Sequence, residues 1–95
     1  VITNLLINAS HAIEDKGIIK VSTKEKDGVV LLLVEDNGVG IDEEALGKIF
    51  IPFFTTKKQG SGIGLSLSKQ IMRKHGGAIT VKSVMNEGTE FTLRF

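Results

Sequence analysis

Apolar side chains recur along the chain with two spacings, and the spacing predicts the type of each element. From Val1 to Ile13 they recur every three or four residues, which is typical of a helix with one buried face. From Ile18 onward several segments alternate apolar and polar residues and are rich in β-branched side chains, which predicts strands. The whole pattern predicts helices at residues 1–15, 42–50 and 62–75 and strands at residues 18–25, 29–35, 78–84 and 89–95.

Turn-forming residues separate these elements. Asp27-Gly28 is a strong signal for a tight hairpin between the first two strands. Gly17 and Gly76-Gly77 are placed to end the first and third helices. Pro52 is placed to end the short second helix, because proline cannot continue a helical hydrogen-bond ladder.

The order of elements predicts an α+β fold. We expect a two-layer α/β sandwich with a mixed sheet and the helices on one face. The apolar run at residues 29–34 predicts that the second strand is central. A length of 95 residues suits one small domain, which we assign to residues 1–95.

Composition excludes several classes of protein. There is no cysteine, which rules out disulfides and thiolate metal sites, and a net charge of +1 argues against a nucleic-acid binder. Hydrophobic residues make up 41% of the chain and charged residues 24%, as in globular domains. No apolar run reaches the ~18 residues that a membrane-spanning helix needs.

A stripe of polar residues follows the first helix. Asn4, Asn8, His11 and Asp15 have spacings that place them on one side, which we expect to lie opposite the apolar face. Asn8 could offer its carbonyl oxygen to Mg²⁺, and His11 could reach phosphate groups. Asparagine is a poor helix former, so the presence of two asparagines within a predicted helix needs an explanation. The alternative is a plain polar face, or an asparagine that caps a neighbouring loop.

A carboxylate and two glycines follow the central strand. Asp36 could accept a hydrogen bond from the exocyclic amine of adenine, because an ionised carboxylate only accepts. Gly38 and Gly40 would then let the backbone turn beneath the base. The alternative is an ordinary turn in which the Asp36 side chain bonds its own backbone.

A second glycine cluster precedes the third helix. Backbone N–H groups of Gly60, Gly62 and Gly64 could cradle a triphosphate. The spacing is not that of a Walker motif, so the pattern alone also fits a surface loop.

An aromatic cluster with a basic end lies between the two glycine segments. Phe50, Phe53 and Phe54 precede Lys57, an arrangement suited to a lid that buries apolar surface and neutralises phosphate charge. The alternative is a small apolar cluster packed under a loop.

In this order, the segments resemble the ATP-binding catalytic domain of bacterial sensor histidine kinases, in the superfamily of gyrase, Hsp90, histidine kinases and MutL. The resemblance covers essentially the whole chain and implies the Bergerat-type ATP-binding fold, with a short lid as in nitrogen-regulation sensors. The matching segments are an N box at Asn4 to Ala12, glycine boxes at Asp36 to Gly40 and Gly60 to Leu65, an F box at Phe50 to Lys57, and Gly88-Thr89.

The resemblance also implies roles for individual residues. Asn8 would hold Mg²⁺ and act in catalysis with His11 and Lys57, while Asp36 would bind the adenine amine. Gly40 and Thr89 would assist at the base, and Ile41 and Phe91 would line it. The implied nucleotide-binding set is Asn4, Asn8, His11, Asp36, Gly38, Gly40, Ile41, Phe50, Thr56, Lys57, Gly60, Ser61, Gly62, Ile63, Gly64, Leu65, Thr89 and Phe91.

One position separates a kinase from an ATPase in this resemblance. The ATPase branches carry a water-activating glutamate where this chain has Asn4, and an amide cannot act as a general base. The implied function is therefore transfer of the γ-phosphoryl group of Mg-ATP to a histidine on a separate dimerisation domain. An ATPase of the gyrase or Hsp90 type and a non-catalytic nucleotide-binding module are the alternatives.

The resemblance further implies the partners and the setting. The partners would be the protein's own phospho-acceptor domain and a response-regulator receiver domain, with no nucleic acid and no direct membrane contact. The domain would lie in the cytoplasm as part of a bacterial sensor. Because the chain already starts inside the predicted helix that carries the N box, we expect an N-terminally truncated fragment of a longer chain.

Overall fold

The structure is a computed structural model that describes residues 1–13, 17–52 and 64–95. Helices and strands follow each other in the predicted order. They are α1 (Ile2–Ala12), β1 (Ile19–Lys26), β2 (Val29–Asp36), α2 (Glu43–Leu46), α3 (Gly64–Lys74), β3 (Ala78–Val84) and β4 (Gly88–Arg94).

The four strands form one sheet in the order β1-β2-β4-β3. This confirms that β2 is central. The predicted mixed pairing is wrong for the described strands, since each of the three strand pairs is antiparallel. The reason is the strand order: β4 separates β2 from β3, and β2 separates β1 from β4, so strands that run in the same direction are not neighbours.

One face of the sheet carries the core, and the long helices pack on it. The predicted two-layer α/β sandwich is confirmed, with α1 against β2 and β4 and α3 against β3. Burying one leucine-sized side chain contributes about 1.5–3 kcal/mol, so this cluster supplies much of the stability. The buried core cluster consists of Leu5, Val34, Ile49, Met72, Ile79, Phe91 and Leu93.

The first helix is shorter than its apolar pattern predicts. It ends at Ala12, and Ile13 already has an extended backbone with φ −91° and ψ 122°. Gly17 is therefore not the residue that ends the helix, which corrects that prediction. Residues 14–16, including the predicted stripe member Asp15, lie outside the described residues.

The second helix begins as predicted and ends early. The Asp42 carboxylate caps it by accepting a hydrogen bond from the Ala45 N–H at 2.7 Å. After Leu46 the chain continues in tighter turns, in which Lys48 N–H bonds Ala45 O at 2.8 Å. The helix has thus ended before Pro52, and proline is not its stop signal.

The end of α3 follows the sequence prediction. Gly76 has φ +73°, its N–H bonds Arg73 O at 3.0 Å, and the N–H of Gly77 bonds Met72 O at 2.8 Å. These two bonds form a Schellman motif, which satisfies carbonyl groups at the helix end.

Candidate nucleotide site

Three polar side chains form a row across the inner face of the sheet, at the end where β2 finishes. Asp36 on β2 pairs with Thr89 on β4, and Thr89 pairs with Ser83 on β3. The next row on the same face is Val34, Phe91 and Val81, which belongs to the core. The inner face therefore changes from apolar to hydrogen-bonding at this end. We call Asp36, Thr89 and Ser83 the polar row.

Asp36 is held by its own turn. Its Oδ1 accepts a hydrogen bond from the Gly38 N–H at 2.9 Å, as the alternative interpretation of this segment expected. Burial raises the pKa of the Asp36 carboxyl, while bonds from the backbone N–H groups of Gly38 and Thr89 oppose that rise. The turn thus fixes the orientation of the carboxylate, and this is compatible with a role in binding.

The loop after β2 packs against the turn between β3 and β4. Asn86 N–H donates to Val39 O at 2.8 Å. Gly40 has φ +79°, and a Cβ there would collide with the carbonyl group of Val84. Glycine is needed at this position for the close approach of two backbone segments, in addition to the turn itself.

Ser83 joins three segments at the polar row. Its Oγ accepts from the Ile41 N–H at 2.7 Å, donates to Gly88 O at 2.9 Å, and lies 2.8 Å from Thr89 Oγ1. Sequence reasoning missed this residue. A signal was present, since Ser83 continues the alternation of Ile79 and Val81 as a polar residue at an inward position.

The apolar residues predicted to line the base lie beside the polar row. Phe91 is 4% exposed, so it belongs to the core and can present only an edge to a ligand. Ile41 is half-buried against the same core cluster, as are Phe50 and Leu65. Lys69 on α3 places its Nζ 5.0 Å from the centre of the Phe50 ring, within the range of a cation–π interaction.

Asn4 lies at the junction of α1 and α3. Its Nδ2 donates long hydrogen bonds to Gly64 O at 3.4 Å and to Ser68 Oγ at 3.5 Å, and Ser68 Oγ donates to Gly64 O at 2.9 Å. The predicted location of Asn4 opposite the packed face of α1 is therefore wrong. The outward side carries Ile7, which is 47% exposed.

This junction places the start of α3 next to α1. α3 begins at Gly64, the last glycine of the predicted phosphate cradle. The first N–H groups of a helix have no partner within the helix, so this end favours anions. Asn8 lies one turn after Asn4 on α1 and is half-buried.

Several predicted site residues lie in the part of the chain that the structure does not describe. Thr56, Lys57, Gly60, Ser61, Gly62 and Ile63 lie outside the described residues, as do Phe53 and Phe54. His11 lies within α1, and its side chain is outside the description. Within residues 1–13, 17–52 and 64–95, no group of three or more His, Cys, Asp or Glu could hold a metal ion.

A shallow groove of about 200 Å³ lies at the same end of the sheet. Its lining includes the polar row and also Glu35, Lys82 and Glu90, which form a row on the outer face of the sheet. Pockets that enclose drug-sized ligands are ~300–1,000 Å³, so this groove is too small for a nucleotide. We do not assign it to the nucleotide.

Comparison with known families decides the classification. The family model described as "Histidine kinase-, DNA gyrase B-, and HSP90-like ATPase" matches residues 1–95. The chain belongs to this ATPase family. The resemblance inferred from the sequence motifs is thereby confirmed.

Relatives of this ATPase domain are sensor histidine kinases. The chain is 46% identical over 94 residues to the sensor histidine kinase ZraS of Salmonella typhimurium, covering 98% of this chain and 20% of the relative. It is 47% identical over 94 residues to the signal transduction histidine-protein kinase AtoS of Escherichia coli, covering 98% of this chain and 16% of the relative. The chain thus spans a fifth or less of the length of these curated relatives.

Solved structures of similar fold are also histidine kinases. The nucleotide-free catalytic domain of histidine kinase ThkA superposes with a TM-score of 0.83 at 39% identity, over 97% of this chain and 60% of that one. The mycobacterial sensor histidine kinase MprB gives a TM-score of 0.86 at 32% identity, over 97% of this chain and 64% of that one. These similarities confirm that the α+β sandwich is the fold of histidine kinase ATPase domains.

The ATPase domain has no membrane-spanning helix within its described residues. None of their helices combines the length and the apolar character that crossing a bilayer requires.

Proposed function

We propose that residues 1–95 form a single domain that binds Mg-ATP and donates its γ-phosphoryl group to a histidine on a separate dimerisation domain. The observation that carries this proposal is the polar row. In it, Asp36 ends an otherwise apolar sheet face, at the start of the loop that contains Gly38 and Gly40. The nucleotide would lie between this row and the start of α3.

The base would bind at the polar row. The Asp36 carboxylate would accept a hydrogen bond from the exocyclic amine of adenine, a bond that favours adenine over purines without an amine at that position. Gly38 and Gly40 would pass beneath the base because they carry no side chain. Thr89 would assist from the floor of the site, and Ile41 with the edge of Phe91 would provide apolar contact.

The phosphates would bind at the start of α3. We propose that backbone N–H groups from Gly60 to Leu65, including those of Ser61, Gly62, Ile63 and Gly64, contact them. His11, Thr56 and Lys57 would add contacts with the phosphates. Phe50 would anchor the segment that carries Thr56 and Lys57. Asn4 would support this arrangement through its bond to Gly64 O.

The donor set suits a magnesium ion held mainly by its nucleotide. Mg²⁺ prefers oxygen ligands and keeps waters and phosphates in its coordination shell, so it does not require a cage of carboxylates. The described residues offer no such cage. The amide oxygen of Asn8 would hold the ion, which would neutralise charge on the phosphates.

Transfer would require a nucleophile from outside this domain. The acceptor histidine nitrogen would form the N–P bond to the γ-phosphorus while the bond from that phosphorus to the bridging oxygen breaks. ADP would leave, and the ring proton would pass to an acidic side chain on the acceptor domain. The protein groups here would mainly position the reactants and stabilise charge, which is what phosphoryl transfer chiefly needs.

Asn4 favours kinase over ATPase chemistry. It carries no proton-accepting group, and its amide is engaged by α3. We therefore propose that hydrolysis by this domain alone is slow. The wider partners would be the phospho-acceptor domain and a receiver domain, and the setting would be the cytoplasm, where ATP is available.

Calorimetry of the 95-residue chain tests the binding step. We expect Mg-ATP to bind and Asp36→Ala to abolish binding, with Thr80→Val on the exposed part of β3 as a control that binds like the parent. Retained affinity in Asp36→Ala would contradict the base assignment.

Radiolabelled ATP tests the fate of the phosphoryl group. We expect little free phosphate from the chain alone, and labelled protein when a phospho-acceptor domain is added. Asn8→Asp should reduce that labelling more than it reduces nucleotide binding. Rapid release of phosphate by the chain alone would favour the ATPase alternative.

A further inference from the structure

We propose that Ser83 is a positioning residue that sets the preference for amino over keto purines, because it orients the hydroxyl proton of Thr89. This inference rests on the proposed function, since it concerns the same site. It concerns a residue that does not itself contact the nucleotide.

The hydrogen bonds of Ser83 fix the direction of each donor. A serine hydroxyl has one proton and two lone pairs. The Gly88 carbonyl can only accept, so the Ser83 proton goes to it, at an O···O distance of 2.9 Å. The two lone pairs then accept from the Ile41 N–H at 2.7 Å and from the Thr89 hydroxyl at 2.8 Å. In this arrangement all four groups are satisfied.

The consequence for Thr89 is a loss of donor capacity toward the site. Its single hydroxyl proton is used by Ser83, so Thr89 Oγ1 can offer only lone pairs. Thr89 is 6% exposed, so water competes poorly for this hydroxyl. Neighbouring Asp36, when ionised, is also only an acceptor.

The polar row therefore presents acceptors alone from Asp36 and Thr89. The 6-amino group of adenine carries two N–H donors and suits this arrangement. A 6-keto purine presents an oxygen there, which would face two other acceptors and lose its hydrogen bonds to water. Without Ser83, the Thr89 hydroxyl could rotate and donate to that oxygen.

The experiment measures the dissociation constants of Mg-ATP and Mg-inosine triphosphate for the 95-residue chain. We expect the parent to prefer ATP, and Ser83→Ala to lower that preference about fivefold, the worth of one neutral hydrogen bond. Ser83→Thr, which keeps the hydroxyl, should retain the parent's preference for ATP. Thr80→Val on the same strand should also leave that preference unchanged. Ser83→Cys keeps the shape with weak hydrogen bonding and replaces Ser83→Ala if that variant does not fold.

A double-mutant cycle with Thr89→Val tests whether Ser83 acts through Thr89. In the Thr89→Val background, removal of the Ser83 hydroxyl should cause no further change in preference. The same fivefold change in both backgrounds, or an unchanged preference in folded Ser83→Ala or Ser83→Cys, would overturn the proposal. A parent chain that binds neither nucleotide would instead overturn the proposed function.

Discussion

The β1–β2 and β3–β4 hairpins each have an acidic residue followed by glycine at the turn, Asp27-Gly28 and Glu87-Gly88. They differ in what surrounds these turns. Gly28, in the β1–β2 turn, has φ +80°, and a Cβ added there would meet no atom within 4 Å. Gly88, at the start of β4, has φ +133°, and a Cβ there would collide with the carbonyl group of Asp36. The first hairpin needs glycine for its backbone conformation alone. The second needs it also because the turn packs against the segment that carries the candidate site.

The largest expected effect is a loss of stability in Gly88→Ala. The substitution combines an unfavourable φ with a steric overlap against backbone, so we expect a loss of about 3 kcal/mol or more in the free energy of unfolding. Urea denaturation of the 95-residue chain measures it.

Gly28→Ala is the matched control for that prediction. Alanine there meets only the cost of positive φ, about 1 kcal/mol. Equal losses in the two variants would show that the contact with Asp36 adds nothing, and the contrast between the hairpins would fail.

The next effect concerns binding. Asp36→Asn keeps an acceptor for the Gly38 N–H and removes the charge from the proposed bond to adenine. Charge-assisted hydrogen bonds contribute about 1.5–3 kcal/mol, so we expect ATP affinity to fall about 10- to 150-fold. Calorimetry measures the change. An affinity equal to the parent's would remove the base end from the polar row.

The same substitution should change the pH dependence of stability. Burial raises the pKa of Asp36 in the folded state, so its contribution to stability is greatest below its unfolded pKa and is lost as pH rises through the folded pKa. At neutral pH, Asp36→Asn should relieve that cost and be at least as stable as the parent. At acidic pH the parent should gain stability relative to Asp36→Asn. Denaturation curves across pH 3 to 7 test this, and a shift in the opposite direction would contradict the burial effect.

The smallest effect tests the junction of α1 and α3. Asn4→Asp replaces the amide donor with a carboxylate beside Gly64 O, and we expect a loss of about 1 kcal/mol. Asn37→Asp is the matched control, because Asn37 uses its Oδ1 to accept from the Ile18 N–H at 2.7 Å, which aspartate also does. If thermal unfolding shifts equally in both variants, Asn4 does not tie the helices together.

Features that depend on neighbouring residues were predictable from the sequence. The Asp27-Gly28 turn has φ +52° and +80° at its two residues, as a two-residue hairpin of this type requires. The Asp42 cap and the Gly76-Gly77 helix end also follow from residues close in the chain. The family motifs predicted the fold for the same reason, since each is a short contiguous segment.

Features that depend on distant residues were not predictable. The antiparallel sheet follows from the insertion of β4 between β2 and β3, which no local pattern encodes. Asn4 contacts Gly64, 60 positions away, and helical spacing alone placed it on the opposite side. Ser83 gains its role from a strand register and from Ile41, 42 positions away. The roles of Thr56, Lys57 and the Gly60–Ile63 segment stay predictions.

The central place of β4 has a consequence for biosynthesis. β4 follows the other described elements in the chain, yet it provides hydrogen-bonding partners to both β2 and β3. On a ribosome, the β1–β2 hairpin could form early, but β3 would have no strand to pair with until residues 88–94 emerged from the exit tunnel. Folding of this domain should therefore be completed only after β4 has been translated, with nascent chains that stop before Gly88 exposed to chaperones and proteases.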